Sequence, residues 1–165
     1  MKHPRLALSA AALLTAAFAA RPAPAQVCGP LTFAFSTTGP GCDPTGTGPV
    51  PVLTGSEFQL PGSPTCNVRI LLNTVAILFP IPPTTLALGF SNPALPFAGL
   101  PGCTIWTIPV AFFSMSFDAG GPQFHDVLFP LPPNPALIGT TAYAQAAVPV
   151  PGGFRISNGL QISIN

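Results

Sequence analysis

The apolar segments of this chain are short, and proline or glycine stands between almost all of them. The 165 residues include 24 prolines and 16 glycines. Proline removes a backbone N–H donor and restricts the residue before it, so a long helix cannot continue through such a sequence. After residue 25, no long segment combines helical apolar spacing with freedom from proline. We therefore expect a fold built from many short strands.

Strand candidates follow one another at short spacing, which is typical of a β-sandwich or barrel. In the segment CNVRILLN at 66–73, Val68, Ile70 and Leu72 share one face. The clearest hairpin joins 111–118 to 123–129 through a glycine-containing turn. The other candidates are 31–36, 56–60, 85–90, 103–109, 140–148 and 158–164. We predict an all-β fold, an antiparallel β-sandwich of the Ig-like or jelly-roll-like kind.

The frame LFPxPP occurs twice, at 78–83 and at 128–133. In both copies we expect Leu-Phe to end a strand, because the prolines that follow supply no donor to a ladder. The flanking sequences do not align, which favours one structural device used twice over a duplicated domain. The second copy is followed by the signals of a short helix. Asn134 is suited to the N-cap, Pro135 to the first helical position and Gly139 to the residue after the helix. This order predicts one short helical turn near residues 134–138.

Residues 1–25 have the pattern of a secretory signal peptide. A basic start precedes an apolar run at 6–20, and Ala-Pro-Ala at 23–25 provides a cleavage site. Residues 26–165 are then predicted to form a single β-sandwich-like domain. The apolar segment 68–90 contains an arginine and three prolines, so we predict no membrane span. The expected location is secreted, periplasmic or at the cell surface.

The charge of the chain excludes nucleic acid as a partner. After the predicted signal peptide, two arginines stand against four acidic residues, which leaves a formal net charge of −2. Nucleic-acid binding requires clustered lysines and arginines that displace counterions from phosphates. The hydrophobic content is 48% and the charged content only 5%, the opposite of the composition that keeps chains disordered.

Five segments of the chain carry a recognisable combination of motifs, at 39–48, 86–92, 100–107, 131–148 and 157–164. The most specific feature is the order PGC, PxNPALxG, YAQ and SNGL. Together these segments resemble a largely uncharacterised family of secreted β-rich domains of planctomycete-type marine bacteria. The family occurs alone or appended to large extracellular proteins. The resemblance implies a β-rich fold and an extracellular location, and it implies no established activity or catalytic residues.

Four cysteines in an exported chain predict two disulfide bonds, for which three connectivities exist. Cys42 and Cys103 occupy positions that resemble those of the family, whereas Cys28 and Cys66 are additional. The resemblance implies a bond between Cys42 and Cys103, and if this bond forms, Cys28 is left to pair with Cys66. In the chain-entropy model, closing the loop from Cys42 to Cys103 stabilises the fold by about 4 kcal/mol.

His125 is the only histidine after the predicted signal peptide, so a catalytic triad or a histidine-based metal site would have to use it. Asp118 could approach it across the hairpin, whereas Asp126 points to the opposite face of the strand. No serine lies in a GxSxG motif, and no second ligand pair has metal spacing. We expect His125 at a solvated polar edge and predict no catalytic site, metal site or cofactor.

The predicted function is a non-enzymatic structural or adhesive interaction module of the cell envelope or extracellular space. Its partners would be further copies of itself or other extracellular or envelope proteins, because a weakly charged, apolar surface favours association. The alternative is a module that binds carbohydrate or another ligand, with Trp106 and Tyr143 as candidates for stacking on sugar rings. We expect both aromatic side chains to be largely buried. A hydrolase centred on His125 is the third possibility.

Overall fold

The computed structural model describes residues 31–46, 48–59, 65–74, 83–117 and 124–165. The predicted signal peptide at 1–25, Cys28, most of the first LFPxPP copy, and Asp118 with the hairpin turn after it lie outside these ranges. The boundary between signal peptide and domain therefore stays a prediction. None of the helical residues within the described ranges forms a helix long and apolar enough to cross a membrane.

The described residues form eleven β-strands and one short 3-10 helix. The 3-10 helix lies between β8 and β9 at Pro135–Leu137. The strands are β1 Phe33–Gly39, β2 Val52–Gln59, β3 Cys66–Asn73, β4 Thr84–Gly89, β5 Leu95–Pro96, β6 Thr104–Ile105, β7 Ala111–Phe117, β8 Phe124–Leu131, β9 Thr141–Val150, β10 Gly153–Ile156 and β11 Gly159–Ile164.

Nine of the strands form one antiparallel sheet, in the order β1-β11-β9-β4-β7-β8-β3-β2, with β10 paired to β9. Strands β5 and β6 form a separate short hairpin. The two ends of the large sheet approach each other, since the Glu57 carboxylate on β2 accepts a hydrogen bond of 2.6 Å from the backbone N–H of Phe33 on β1. The sheet is therefore nearly closed, and the all-β antiparallel prediction is confirmed.

The interior of the nearly closed sheet is filled by alternate side chains of its strands. Val68, Ile70 and Leu72 of β3 are at most 3% exposed and pack in one cluster with Leu86 of β4 and Ile162 of β11. Full burial of such a side chain stabilises the fold by about 1.5 to 3 kcal/mol. The period-two pattern in the sequence is thus the pattern of inward-facing residues.

The predicted helical turn after the second LFPxPP copy is confirmed as the 3-10 helix Pro135–Leu137. The Asn134 side chain caps it by accepting a hydrogen bond of 3.0 Å from the backbone N–H of Ala136. Gly139 follows with φ of 86°, a conformation that favours glycine.

The prediction that Phe129 ends a strand is wrong by two residues. Strand β8 continues through Pro130, which lies opposite Asn67 of β3, as far as Leu131. On its other side, the described residues of β8 that pair with β7 are Asp126 and His125. A proline can remain in this strand because that side makes no ladder with a described strand at Pro130.

The strand predicted at 103–109 is also shorter than expected. Only Thr104–Ile105 is a strand, because the backbone N–H of Trp106 donates to the Gln145 side chain, at 3.0 Å, instead of to a neighbouring strand. Conversely, the short strand β10 at Gly153–Ile156 was not predicted.

Candidate functional site

An apolar depression lies on the outer face of β4 and β9. Side chains alternate along a strand, so Leu86 points into the core while Thr85 and Ala87 point outward. Ala147 of β9 lies opposite Thr85 and shares this outer face. The small size of these three side chains leaves room for a depression above the sheet.

The side wall of the depression is formed by the β5–β6 hairpin and the residues around it. The buried Gln145 side chain holds this wall against the sheet. Its Oε1 accepts from the backbone N–H of Trp106 at 3.0 Å, and its Nε2 donates to the carbonyl oxygens of Thr104, at 2.9 Å, and Ser157, at 3.2 Å. These three bonds link the wall, β9 and the segment before β11.

Three phenylalanines surround the depression, and all are displayed to solvent. Phe97, Phe112 and Phe154 are 38%, 67% and 47% exposed. The space consists of two adjoining parts of about 330 and 390 Å³, which share Phe97, Ala147 and Ile156. We call this space the outer groove. It is large enough to hold several apolar side chains of another molecule.

The outer groove offers few polar groups to a ligand. None of its described lining residues is charged, and the polar ones among them are Thr85, Thr107 and Gln145. The Thr107 hydroxyl donates to the carbonyl oxygen of Tyr143 at 3.2 Å. Gln145 already makes the three hydrogen bonds that hold the wall. The chemistry of the groove therefore favours an apolar ligand.

Trp106, a predicted sugar-binding candidate, is half-buried and packs against the fold itself. Its indole covers Gly39 and Gly159, which lie opposite each other in β1 and β11. A methyl group at either glycine would overlap the side chain of Trp106. The indole N–H donates to the carbonyl oxygen of Pro40 at 2.9 Å. These contacts indicate a structural role.

Tyr143, the second sugar-binding candidate, is half-buried in β9 and lies opposite Gly89 of β4 and Gln161 of β11. It shares the outer face with Gln145 but is not among the described residues that line the outer groove. The structure therefore brings neither Trp106 nor Tyr143 into the groove.

His125 lies inside the fold, and the expectation of a solvated polar edge is wrong. The side chain is 2% exposed and lies at the position opposite Leu72 of β3. Burial lowers the pKa of the imidazole below its usual value. Asp126 points to the other face, as predicted, and its carboxylate contacts Arg69 Nε at 3.0 Å. In the described part of the chain, no three His, Cys, Asp or Glu residues are grouped to hold a metal.

The disulfide bond between Cys42 and Cys103 is confirmed, with the two Cα atoms 5.4 Å apart. Cys42 and Ile156 of β10 exchange backbone hydrogen bonds of 2.8 and 2.9 Å. Cys103 accepts one of 2.9 Å from the backbone N–H of Phe97. The bond thus connects the loop before β2 to the wall of the outer groove. Cys66 is also disulfide-bonded, and Cys28, its predicted partner, lies outside the described residues.

A buried ion pair beside this disulfide was not predicted. Asp43 Oδ2 lies 3.3 Å from Arg155 Nε. The hydrogen bond from the Thr45 hydroxyl, backbone hydrogen bonds from Gly48 and Thr45, and the Arg155 charge together lower the pKa of Asp43 to about 2. The sequence Asp-Pro-Thr-Gly at 43–46 indicates a turn stabilised by the aspartate, but nothing local indicates Arg155 as its partner.

Comparisons with protein-family models, curated proteins and solved structures find no match to this chain. The resemblance to the family of secreted β-rich domains therefore stays a prediction.

Proposed function

We propose that this chain is a secreted, non-enzymatic interaction module that uses the outer groove to bind an apolar segment of an envelope or extracellular protein. The observation that carries the proposal is the exposure of Phe97, Phe112 and Phe154 around one uncharged groove. Exposed apolar residues that are contiguous mark interaction sites more often than scattered ones do.

The rigidity of the groove supports the same proposal. Its floor is the outer face of the sheet, and its wall is held by Gln145 and by the disulfide between Cys42 and Cys103. A site that is already ordered loses less conformational entropy on binding than a flexible one. This arrangement is therefore suited to binding a partner without first having to become ordered.

A protein segment fits the groove better than a carbohydrate does. Sugar rings present many hydroxyl groups, and a binding site has to supply hydrogen-bond partners for them. In the outer groove Thr107 and Gln145 already bond to the protein backbone. Carbohydrate stacking on the exposed phenylalanines is the alternative, and binding through Trp106 or Tyr143 is less favoured because neither lines the groove.

Among the described residues, the environments of three titratable groups support a non-enzymatic role. His125 is buried, Asp43 is paired with Arg155, and Asp126 with Arg69. A general base needs access to the proton that it removes.

The Cys42–Cys103 bond also supports a location in an oxidising compartment, secreted or periplasmic.

We further infer that the two halves of the nearly closed sheet form the layers of a β-sandwich. Within the described residues, strand β7 pairs with β4 along Ala111–Met115 and with β8 at Ser116 and Phe117. This restricted pairing supports a corner between two layers.

Selection of binding peptides tests the proposal. A random peptide library is selected on the oxidised chain without its predicted signal peptide. We expect apolar peptides whose binding is lost in the Phe112→Ser, Phe154→Ser double variant. The control Leu128→Ser removes an apolar side chain that is 41% exposed and lies outside the groove, and it should retain binding.

The same variants separate the alternatives. Light scattering over a range of concentration detects self-association, which the double variant would abolish if the bound segment belongs to a second copy. Binding on a glycan array that depends on Phe112 would replace the proposal with the carbohydrate alternative. No selected peptide and no self-association would refute the proposal.

A further inference from the structure

The hydrophobic core does not close at one end of the sheet. A pocket of about 190 Å³ opens there between the strand pair β3 and β8 and the strands β4, β9 and β11. Val68, Phe129 and Ile162 line it and also belong to, or pack against, the central core cluster. We call this space the end pocket. It is separate from the outer groove, since the two share none of their described lining residues.

The strand ends explain why this pocket exists. Ala142 at the start of β9 pairs with Ile162 of β11 and contributes only a methyl group, where a larger side chain would fill the space. Leu137 of the 3-10 helix lines the opening and is half-buried. The 3-10 helix therefore covers the end of the sheet without filling it.

The lining of the end pocket is almost entirely hydrocarbon. Thr140 is the one described lining residue with a polar side chain, and none is charged. Water requires two to four polar partners to occupy a cavity, so an apolar cavity stays dry. A dry cavity of about 150 Å³ lined by aliphatic and aromatic side chains binds benzene. The end pocket has a similar volume and the same lining chemistry, but unlike that cavity it is open to solvent on one side.

We propose that the end pocket binds a compact, uncharged hydrocarbon group about the size of benzene. The binding energy comes from van der Waals contacts, because the side chains that line the empty pocket have no atoms to contact on its open side. The group is either a small free hydrocarbon or the end of an acyl chain whose polar head remains at the opening. The opening permits the second case because the 62% exposed Phe90 lies at the rim. This proposal does not depend on the function of the outer groove.

Titration with two probes tests the proposal. Benzene and octanoate are added separately to the oxidised chain without its predicted signal peptide, and the methyl resonances of the protein are followed by NMR. We expect saturable shifts of the Val68, Leu137 and Ile162 methyl signals with benzene. If octanoate produces the same shifts, acyl chains are a source of the ligand; if only benzene does, the ligand is a small free hydrocarbon. No saturable shift with either probe would overturn the proposal.

Two variants identify the site. Ala142→Leu fills the end pocket and should weaken benzene binding by about tenfold or more, the loss of at least about 1.4 kcal/mol. Ala147→Leu adds the same groups in the outer groove and should leave binding unchanged. Loss of binding in Ala147→Leu with retention in Ala142→Leu would place benzene in the outer groove and overturn the proposal.

A further variant tests the pocket without overpacking the fold. Leu137→Ala enlarges the opening at a half-buried position, so the fold should be retained even if Ala142→Leu fails to fold. We expect this variant to shift preference from benzene toward the larger naphthalene. An unchanged ratio of the two affinities would contradict a ligand bound beneath Leu137.

Discussion

Asp43 Oδ2 lies 3.3 Å from Arg155 Nε, and the two side chains are only 5% and 6% exposed. The ion pair is located beside the disulfide bond, since Cys42 and Ile156 exchange backbone hydrogen bonds next to it. A buried charge whose partner is removed is strongly destabilising, because the remaining charge has neither water nor a counterion. The loop that carries Asp43 is therefore held to β10 by the ion pair and by backbone hydrogen bonds, and the disulfide bond joins the same loop covalently to Cys103.

The first prediction concerns this pair. Asp43→Asn should lower the urea midpoint of unfolding at pH 7. The pKa of Asp43 is lowered from 3.8 to about 2, so the carboxylate contributes stability above pH 4 that is lost as the pH falls through 2. The difference between wild type and variant should therefore shrink across this window.

A second ion pair provides the control. Asp126→Asn breaks the contact with Arg69, whose side chain is 26% exposed, and should cost at most about 1 kcal/mol. Equal losses of stability in Asp43→Asn and Asp126→Asn would contradict the importance of burial for the Asp43–Arg155 pair.

The second prediction concerns Trp106 and the glycines beneath it. Gly39→Ala should destabilise the fold by about 1 to 3 kcal/mol, because the added methyl group overlaps the indole and the packing cannot absorb it without strain. Urea unfolding followed by the fluorescence of the single tryptophan gives both the stability and the environment of the ring. Gly99→Ala, where a methyl group would approach only the Phe97 ring at 3.3 Å, is the matched control. Equal stability of Gly39→Ala and Gly99→Ala would mean that the packing of the Trp106 indole does not require a glycine at position 39.

Local sequence patterns were enough to predict most of the strands and the helical turn. The features that the sequence did not predict depend on contacts between residues far apart in the chain. The alternation of Val68, Ile70 and Leu72 gave β3 its bounds, and Asn134 followed by proline indicated the 3-10 helix. In these elements the neighbours along the chain decide the conformation.

The outer groove and the buried polar groups depend on residues far apart in the sequence. Phe97, Phe112 and Phe154 come from three separate segments. Sheet pairing positions Phe112 and Phe154, whereas the hydrogen bonds of Gln145 and the Cys42–Cys103 bond position the segment that carries Phe97. The burial of His125 could not be read from its position beside a turn, because the opposite strand β3 decides which face is interior. A period-two pattern shows that a strand has two faces, and it does not show which polar residue faces inward.

The third prediction concerns the disulfide bond between Cys42 and Cys103, which are 61 residues apart in the sequence. Replacement of both by alanine should lower the free energy of unfolding by about 4 kcal/mol, since the unfolded chain regains the entropy of the open loop. Urea unfolding of the double variant measures the loss. Peptide mapping without reduction should recover a peptide that links Cys42 to Cys103. A linked peptide joining Cys28 to Cys42 would contradict this connectivity.

The last prediction uses the buried histidine. Burial lowers the pKa of His125 below its usual value of 6.5, so the unfolded chain takes up a proton at a higher pH than the folded chain does. The free energy of unfolding should be constant from pH 8 to about 7. Below pH 6.5 it should fall with a slope of up to about 1.4 kcal/mol per pH unit, the effect of one proton. His125→Gln has no imidazole to protonate, and its stability should change little between pH 8 and 5. Because His125 is the only histidine after the predicted signal peptide, equal slopes for wild type and variant in this range would show that the imidazole titrates equally in the folded and unfolded chains.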